Sequence, residues 1–274
     1  MKRLTLMSKR LSYNHDNFPI IPADLGTLPG MTTITGQYPK PWMMPWIKKE
    51  SKLEVKRLLD RIYKDNLDIP TICGSLDAIV NAAEVKRDTR ADEGTQAHDL
   101  IQAILANKPV PFDVLKGKPK HVRKSVDDFY KWRDHVGFRM IDSEQVVYCR
   151  CHRVAGRLDT VGYVFGEVAL VDWKTGKGVY VEGAIQGAGY AHCYGCSMPK
   201  LIGAKGIEIT KLIILHLGQE QAAFQPYDYT KYQKELFAEF EHLKATWEFD
   251  KRQREWQTKV DGSSYGSRLS TIPA

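Results

Sequence analysis

The chain has 274 residues, 43% hydrophobic and 27% charged, with 40 basic against 33 acidic side chains and a net charge of +7. That balance excludes a disordered or fibrous chain, gives length enough for one large core, and leans mildly toward polyanionic partners. The best apolar run, Leu212 to Leu217, is strand-sized and contains His216, so no membrane partner is expected. In chain order, residues 1–45 are rich in proline and read as an irregular arm with one short strand near Met31 to Thr35. Residues 46–137 read as helical, over Trp46 to Asn66, from a Ser75 cap through Glu84, over Asp92 to Asn107, and over Val122 to Val136. From about residue 143 the pattern turns to strands at Gln145–Cys151, Ala155–Val164, Val168–Lys174, Lys211–Leu217 and Ala222–Tyr227. A helix from Glu182 to about Cys196 interrupts them. A charged helix over 231–257 follows, with Leu236, Phe240, Leu243 and Trp247 as its inward stripe, and 258–274 reads as a loose tail. The organisation is an arm over 1–45, one domain over 46–257, and the tail.

The stretch Gly156 to Thr175 is the most informative. It reads as two strands around a tight Phe165-Gly166 turn. Val164 then faces Glu167, Asp159 falls opposite Asp172, and Arg157 falls opposite Lys174. Opposed residues of an antiparallel pair share a face with Cβ atoms roughly 4.5–5.5 Å apart, so two carboxylates at that distance call for a cation or a proton between them. Val161, Tyr163, Val168 and Leu170 take one face, and Leu158, Ala169, Val171 and Trp173 the other. Both faces are largely apolar, and charges at one end of a buried hairpin require pairing or a metal. A solvated ladder of ion pairs is the competing reading.

Three weaker signals accompany the hairpin. Thr95, His98 and Gln102 fall near one helical face, where a neutral imidazole is a possible metal ligand but more often an ordinary residue. Glu182, Gln186 and Tyr190 could line a groove one helix later. Lys40, Trp42, Trp46, Lys48 and Lys49 read as a packing segment, or as a grip on a nucleic-acid strand. The five cysteines are odd in number and no signal peptide is evident, which argues against a disulfide framework. Cys149/Cys151 and Cys193/Cys196 invite a metal reading, but reduced thiols are the expectation. The basic N-terminus lacks a secretory apolar core, so a cytoplasmic protein is expected, with organellar import the weaker option.

In order, GTQAH at 94–98, GRLD at 156–159, DWK at 172–174 and QGAGY at 186–190 resemble the GTxxH, GxxD, (D/E)xK and QxxxY motifs of RecB-like nucleases of the PD-(D/E)XK superfamily. The resemblance covers roughly residues 88–230. It implies an α/β fold with a mixed central β-sheet flanked by helices, to which the helical N-terminal part is an addition. It further implies that His98, Asp159, Asp172 and the Trp173 carbonyl hold Mg²⁺ or Mn²⁺. Lys174 would position or help deprotonate water. Gln186 and Tyr190 would support the site and touch DNA, with Arg157 and Thr95 as further substrate contacts. No cysteine follows Cys196, unlike the iron–sulfur members, so no such cluster is expected. The absence of a GxxxxGK[ST] motif leaves any helicase, recombinase or single-strand-binding protein to be a partner. The function implied is a metal-dependent DNA exonuclease acting on single strands or duplex ends. A structure-selective endonuclease and a non-catalytic nucleic-acid-binding module are the alternatives.

Overall fold

A computed structural model describes residues 12–108, 110–197, 207–218, 220 and 224–261. In chain order the helices before the sheet are α1 (Met31–Thr35), α2 (Met43–Asp65), α3 (Ile69–Gly74), α4 (Leu76–Leu105), α5 (Phe112–Lys116) and α6 (Lys120–Val136). Then come strands β1 (Arg139–Ser143), β2 (Val146–Cys149), β3 (Val154–Arg157), β4 (Thr160–Val164) and β5 (Glu167–Lys174). Helix α7 (Val181–Ser197), strands β6 (Lys211–His216) and β7 (Gln225–Asp228), and helix α8 (Gln233–Asp261) complete the order. Of the expected tail over 258–274, residues 258–261 continue α8 as helix, and the rest lies outside the described residues. No described helix is long and apolar enough to cross a membrane.

The Phe165-Gly166 turn sets the centre of a five-stranded mixed sheet ordered β1-β4-β5-β6-β7. Both turn residues have positive φ, 50° and 86°, which matches the twist of the flanking strands. Val164 faces Glu167 and the register continues to Thr160 opposite Val171. β5 and β6 run parallel, and the other pairings are antiparallel. Alternation along β5 and β6 feeds two cores. Leu170, Leu212 and Ile214 pack with α1, α7 and α8 on one face. Ala169, Val171, Trp173, Ile213 and Leu215 pack with α4 and α6 on the other. Leu236, Phe240 and Leu243 of α8 enter the first core and Trp247 packs against it, so the inward stripe is as expected.

Four expectations change. The strand over Ala155–Val164 is two strands: β3 pairs with β2 in a separate ribbon, β4 pairs with β1 and β5, and Leu158-Asp159 lie between. Arg157 therefore sits opposite Val146 rather than Lys174, and Leu158 joins the α7-side core with Val161 and Leu170. The helices proposed around Ser75–Glu84 and Asp92–Asn107 are one 30-residue α4. Asp92, read as a helix start, instead accepts from Gln96 Nε2 one turn on, at 2.8 Å. The Ser75 hydroxyl donates back to Thr71 O rather than capping α4. Met31–Thr35 is helix and not strand. Its threonines favour strand, but Met31 and Ile34, one turn apart, bury against α7 and packing overrides propensity. Tyr13, Ile21, Leu25 and Leu28 likewise pack on Val146, Tyr148 and Ala155, which ties the N-terminal segment to the domain. β1 was not foreseen: it is a bulged edge strand, Arg-Met-Ile-Asp-Ser, without apolar alternation.

Gly162 shows how tightly β1 and β4 close. A Cβ there would lie 2.5 Å from a Phe138 ring carbon and 2.7 Å from the Arg139 carbonyl oxygen. The ring can turn, but the carbonyl belongs to a strand paired with β4. Gly162→Ala is expected to cost about 1–3 kcal/mol, read as a lower urea midpoint at unchanged slope.

Candidate functional site

Ligands in α/β sheets gather at the carboxyl ends of parallel strands, and the charged residues of β5 lie at that end. With Val171 and Trp173 turned toward α4 and α6, alternation turns Asp172 and Lys174 toward α7. Asp172 is 2% exposed. The Lys174 ammonium is 2.5 Å from Asp172 Oδ2, and among the described residues this buried oxygen has no well-aligned hydrogen bond besides that ion pair. Buried acceptors are seldom left so.

Asp159 comes to the same place from the break between β3 and β4. Its carbonyl accepts from the Glu144 N–H at 3.0 Å and from Gln102 Nε2 at 3.3 Å, and its Oδ2 accepts from the Trp173 N–H at 3.1 Å. Burial, and then the charge of Asp172, push the Asp159 carboxyl well above the ordinary carboxylate range; Lys174 and the Trp173 N–H only partly offset them. Burial disfavours the charge on Lys174, but Asp172 and Asp159 outweigh it and its pKa is raised, so it remains an ammonium.

His98 reaches the end of β5 from α4. Its Nε2 lies 3.1 Å from the Trp173 carbonyl and its Nδ1 3.9 Å from Asp159 Oδ2. Burial, reinforced by Lys174, lowers its pKa. A neutral ring that donates from Nε2 leaves Nδ1 as a free lone pair on the carboxylate side. Gly94, one turn earlier, lets α4 approach: a Cβ there would meet Thr175 Oγ1 at 3.1 Å.

His98, Asp159, Asp172, Trp173 and Lys174 are thus brought together, and the others divide. Gln186 lines a cleft of about 310 Å³ with Lys174, Lys40 and Glu182, the last two paired at 3.0 Å. Tyr190 is buried in the α7-side core against the backbone of Gly156, and burial drives its phenol pKa well up, so it supports the site from behind. The Thr95 hydroxyl donates to Ala91 O within its own helix. Arg157 pairs with Glu144 at 2.7 Å, an ion pair and not part of the carboxylate cluster.

Several residues at the site carried no sequence signal. Glu144, in a left-handed backbone conformation with φ 53°, fixes the backbone of Asp159 and holds Arg157. His121 and His216 hold the loop after Lys174 through the Thr175 and Gly176 carbonyls, at 2.6 and 2.7 Å. They come from α6 and β6 and meet only on folding. Beside that loop opens a cleft of about 940 Å³ whose lining includes Arg90, Lys120, His121, Lys124 and Lys177. A further pocket of about 450 Å³ is lined by Trp42, Trp46, Arg87 and Tyr180, with Trp42 stacked on Tyr180 at 5.0 Å. Comparison with protein-family models and with curated proteins finds no match to this chain.

Proposed function

We propose that this chain is a metal-dependent DNA nuclease with a RecB-like, PD-(D/E)XK-type core, acting as an exonuclease on single strands or duplex ends. The observation that carries the reading is a pair of buried carboxyls at the end of β5: Asp172, whose buried oxygen is met by the Lys174 ammonium, and Asp159, whose ionisation is disfavoured by burial and by Asp172. A divalent cation would satisfy the first and relieve the second, and a donor set of hard oxygens with one imidazole suits Mg²⁺ or Mn²⁺. Asp159, Asp172 and His98 Nδ1 would hold it. When bound, such a cation polarises a phosphate and makes a water more acidic.

The chain's own groups supply the rest. Lys174 keeps its proton, so its role is to offset negative charge that grows on the phosphate in the transition state, rather than to act as base. Trp173 gives Asp159 a fixed N–H and gives His98 a fixed carbonyl, which orients both ligands. Gln186 borders the approach beside Lys174. Arg90, Lys120 and Lys177 in the large cleft suit a phosphate backbone. Lys120→Ala with Lys177→Ala is expected to weaken DNA binding without preference for sequence. The slope of log affinity against log salt should fall by about 1–2, the share of two phosphate contacts.

The exonuclease form rests on the four motifs that resemble the RecB-like family. It is tested by incubating end-labelled single-stranded and circular DNA with Mg²⁺, Mn²⁺ or EDTA and comparing wild type with Lys174→Ala. Loss of linear DNA that needs metal and disappears in the variant, with circles spared, is the expected result. Cut circles would replace the exonuclease with an endonuclease. DNA that is bound but never cut would leave a binding module.

A further inference from the structure

The turn between β2 and β3 carries a second cluster, remote in character from the carboxylates because its donors are sulfur and imidazole. Cys149 ends β2 and His152 follows in the turn, where Arg153 takes φ 48°. The turn folds the imidazole back over the thiol: His152 Nδ1 lies 3.2 Å from Cys149 Sγ, and the His152 N–H donates to that sulfur at 3.4 Å. His192 and Cys196 lie one turn apart on α7. His192 Nε2 is 3.5 Å from Cys149 Sγ and 3.4 Å from Cys196 Sγ. The donor atoms of Cys149, His152 and His192 all lie within 4.8 Å of one another.

The sulfur-to-nitrogen spacings are those of ligands on a single ion, and the widest separation, within 4.8 Å, would shorten on binding. With Zn–S about 2.3 Å and Zn–N about 2.0–2.1 Å, a tetrahedral site has sulfur-to-nitrogen edges of about 3.5 Å. In a Rieske-type two-iron cluster the Cys and His ligands sit on separate irons, which a 3.2 Å sulfur–nitrogen contact does not suit. The surroundings also resemble those of a metal site. His152 Nε2 lies 2.9 Å from Glu241 Oε1 of α8, the carboxylate–histidine arrangement that fixes a ligand's tautomer. His192 stacks on Phe237 at 4.1 Å and 19°.

We propose that Cys149, His152, His192 and Cys196 form a structural zinc site that ties the β2–β3 ribbon to α7. Cys196 Sγ lies 3.4 Å from His192 Nε2, one helical turn on, and is the thiol placed to supply the fourth corner. The thiol pairs visible in the sequence are not the ligands. Cys151 is exposed and Cys193 is buried in the core, and one cysteine from each pair joins a histidine instead. Four protein ligands leave no open position, so the zinc braces and does not catalyse. It would hold β3, and through it the break that carries Asp159, against the helix that carries Gln186.

The test uses the full chain purified without chelator, then dialysed into metal-free buffer. About one zinc per chain by mass spectrometry is expected, and cobalt in its place should show the visible absorption of a tetrahedral thiolate site. Cys196→Ser, at an exposed position, should remove most of the metal and weaken the thiolate band, as should Cys149→Ser if it folds. Cys151→Ser and Asp172→Asn should keep both, which separates this site from the carboxylates. Glu241→Gln should weaken zinc binding by about 10–100-fold. Folded protein without zinc, zinc content unchanged by Cys196→Ser, or an iron chromophore in place of zinc would each overturn the proposal.

Discussion

Asp172→Asn should abolish metal-dependent cleavage, lowering the single-turnover rate by about 10³-fold or more while the far-UV circular dichroism stays that of wild type. The magnitude follows from a ligand whose loss removes several kcal/mol of charge stabilisation at the reacting phosphate, each 1.4 kcal/mol being about tenfold. Asn has the shape of Asp, and Lys174 keeps Asp159 as its second carboxylate neighbour, so the substitution does not strand a buried charge. DNA binding through the basic cleft should persist. A variant that still cuts at near the wild-type rate would remove Asp172 from the chemistry, and with it the nuclease reading of this site.

The second large effect has opposite signs in two experiments. Asp159→Asn should also lose activity, yet in metal-free buffer at pH 8 it should melt above wild type. The carboxylate of Asp159 is disfavoured by burial and by Asp172, and Asn removes the charge while keeping an oxygen to accept the Trp173 N–H. The pH dependence follows from the direction of the shift. A carboxyl whose pKa is raised on folding binds more protons folded than unfolded, so wild type loses stability as pH climbs from the ordinary carboxylate range through the raised value. The advantage of Asn is therefore absent in acid and complete above that value. Each kcal/mol amounts to roughly 2–4 °C in a chain of this size. Mg²⁺ or Mn²⁺ should then raise the melting temperature of wild type and not of the variant, because only a folded site with both carboxylates binds it. Equal metal stabilisation of both proteins would count against Asp159 as a ligand.

The sheet was legible in the sequence where local chemistry and burial agree. The Phe165-Gly166 turn has a geometry that fixes register, and the apolar alternation of β5 and β6 fixes faces, so Asp172 and Lys174 could be placed from the chain alone. Asp159 was placed near the right neighbours for a partly wrong reason. Alternation makes it a paired strand residue, but it lies past the last pair of the ladder and reaches β5 through its side chain. Arg157 shows the cost of extending that ladder: alternation says nothing about where a strand leaves one partner for another. The sequence divides α4 because Asp and Thr favour the N-cap, but they cap only where a helix begins, and the helix runs on past Asp92 with ion pairs such as Arg90–Glu93 at 2.9 Å along its surface. Glu144, His121, His216 and the cysteine–histidine cluster depend on contacts between distant segments, for which no local spacing exists.

The interruption between β3 and β4 has a consequence for how a cation would be gripped. Asp172 sits mid-sheet, paired with β6, and cannot move without moving the core. Asp159 hangs from a connector fastened by the Glu144 N–H, the Gln102 amide and the Trp173 N–H on its carboxylate, and no strand pairing has to break for that connector to shift. The pair works like a vice with one jaw cast into the bench and the other on a short travel. On the proposed reading, ions of different radius would be seated by adjusting the moving jaw alone, and Mg²⁺ and Mn²⁺ would share one site without any rebuilding of the strands that define it.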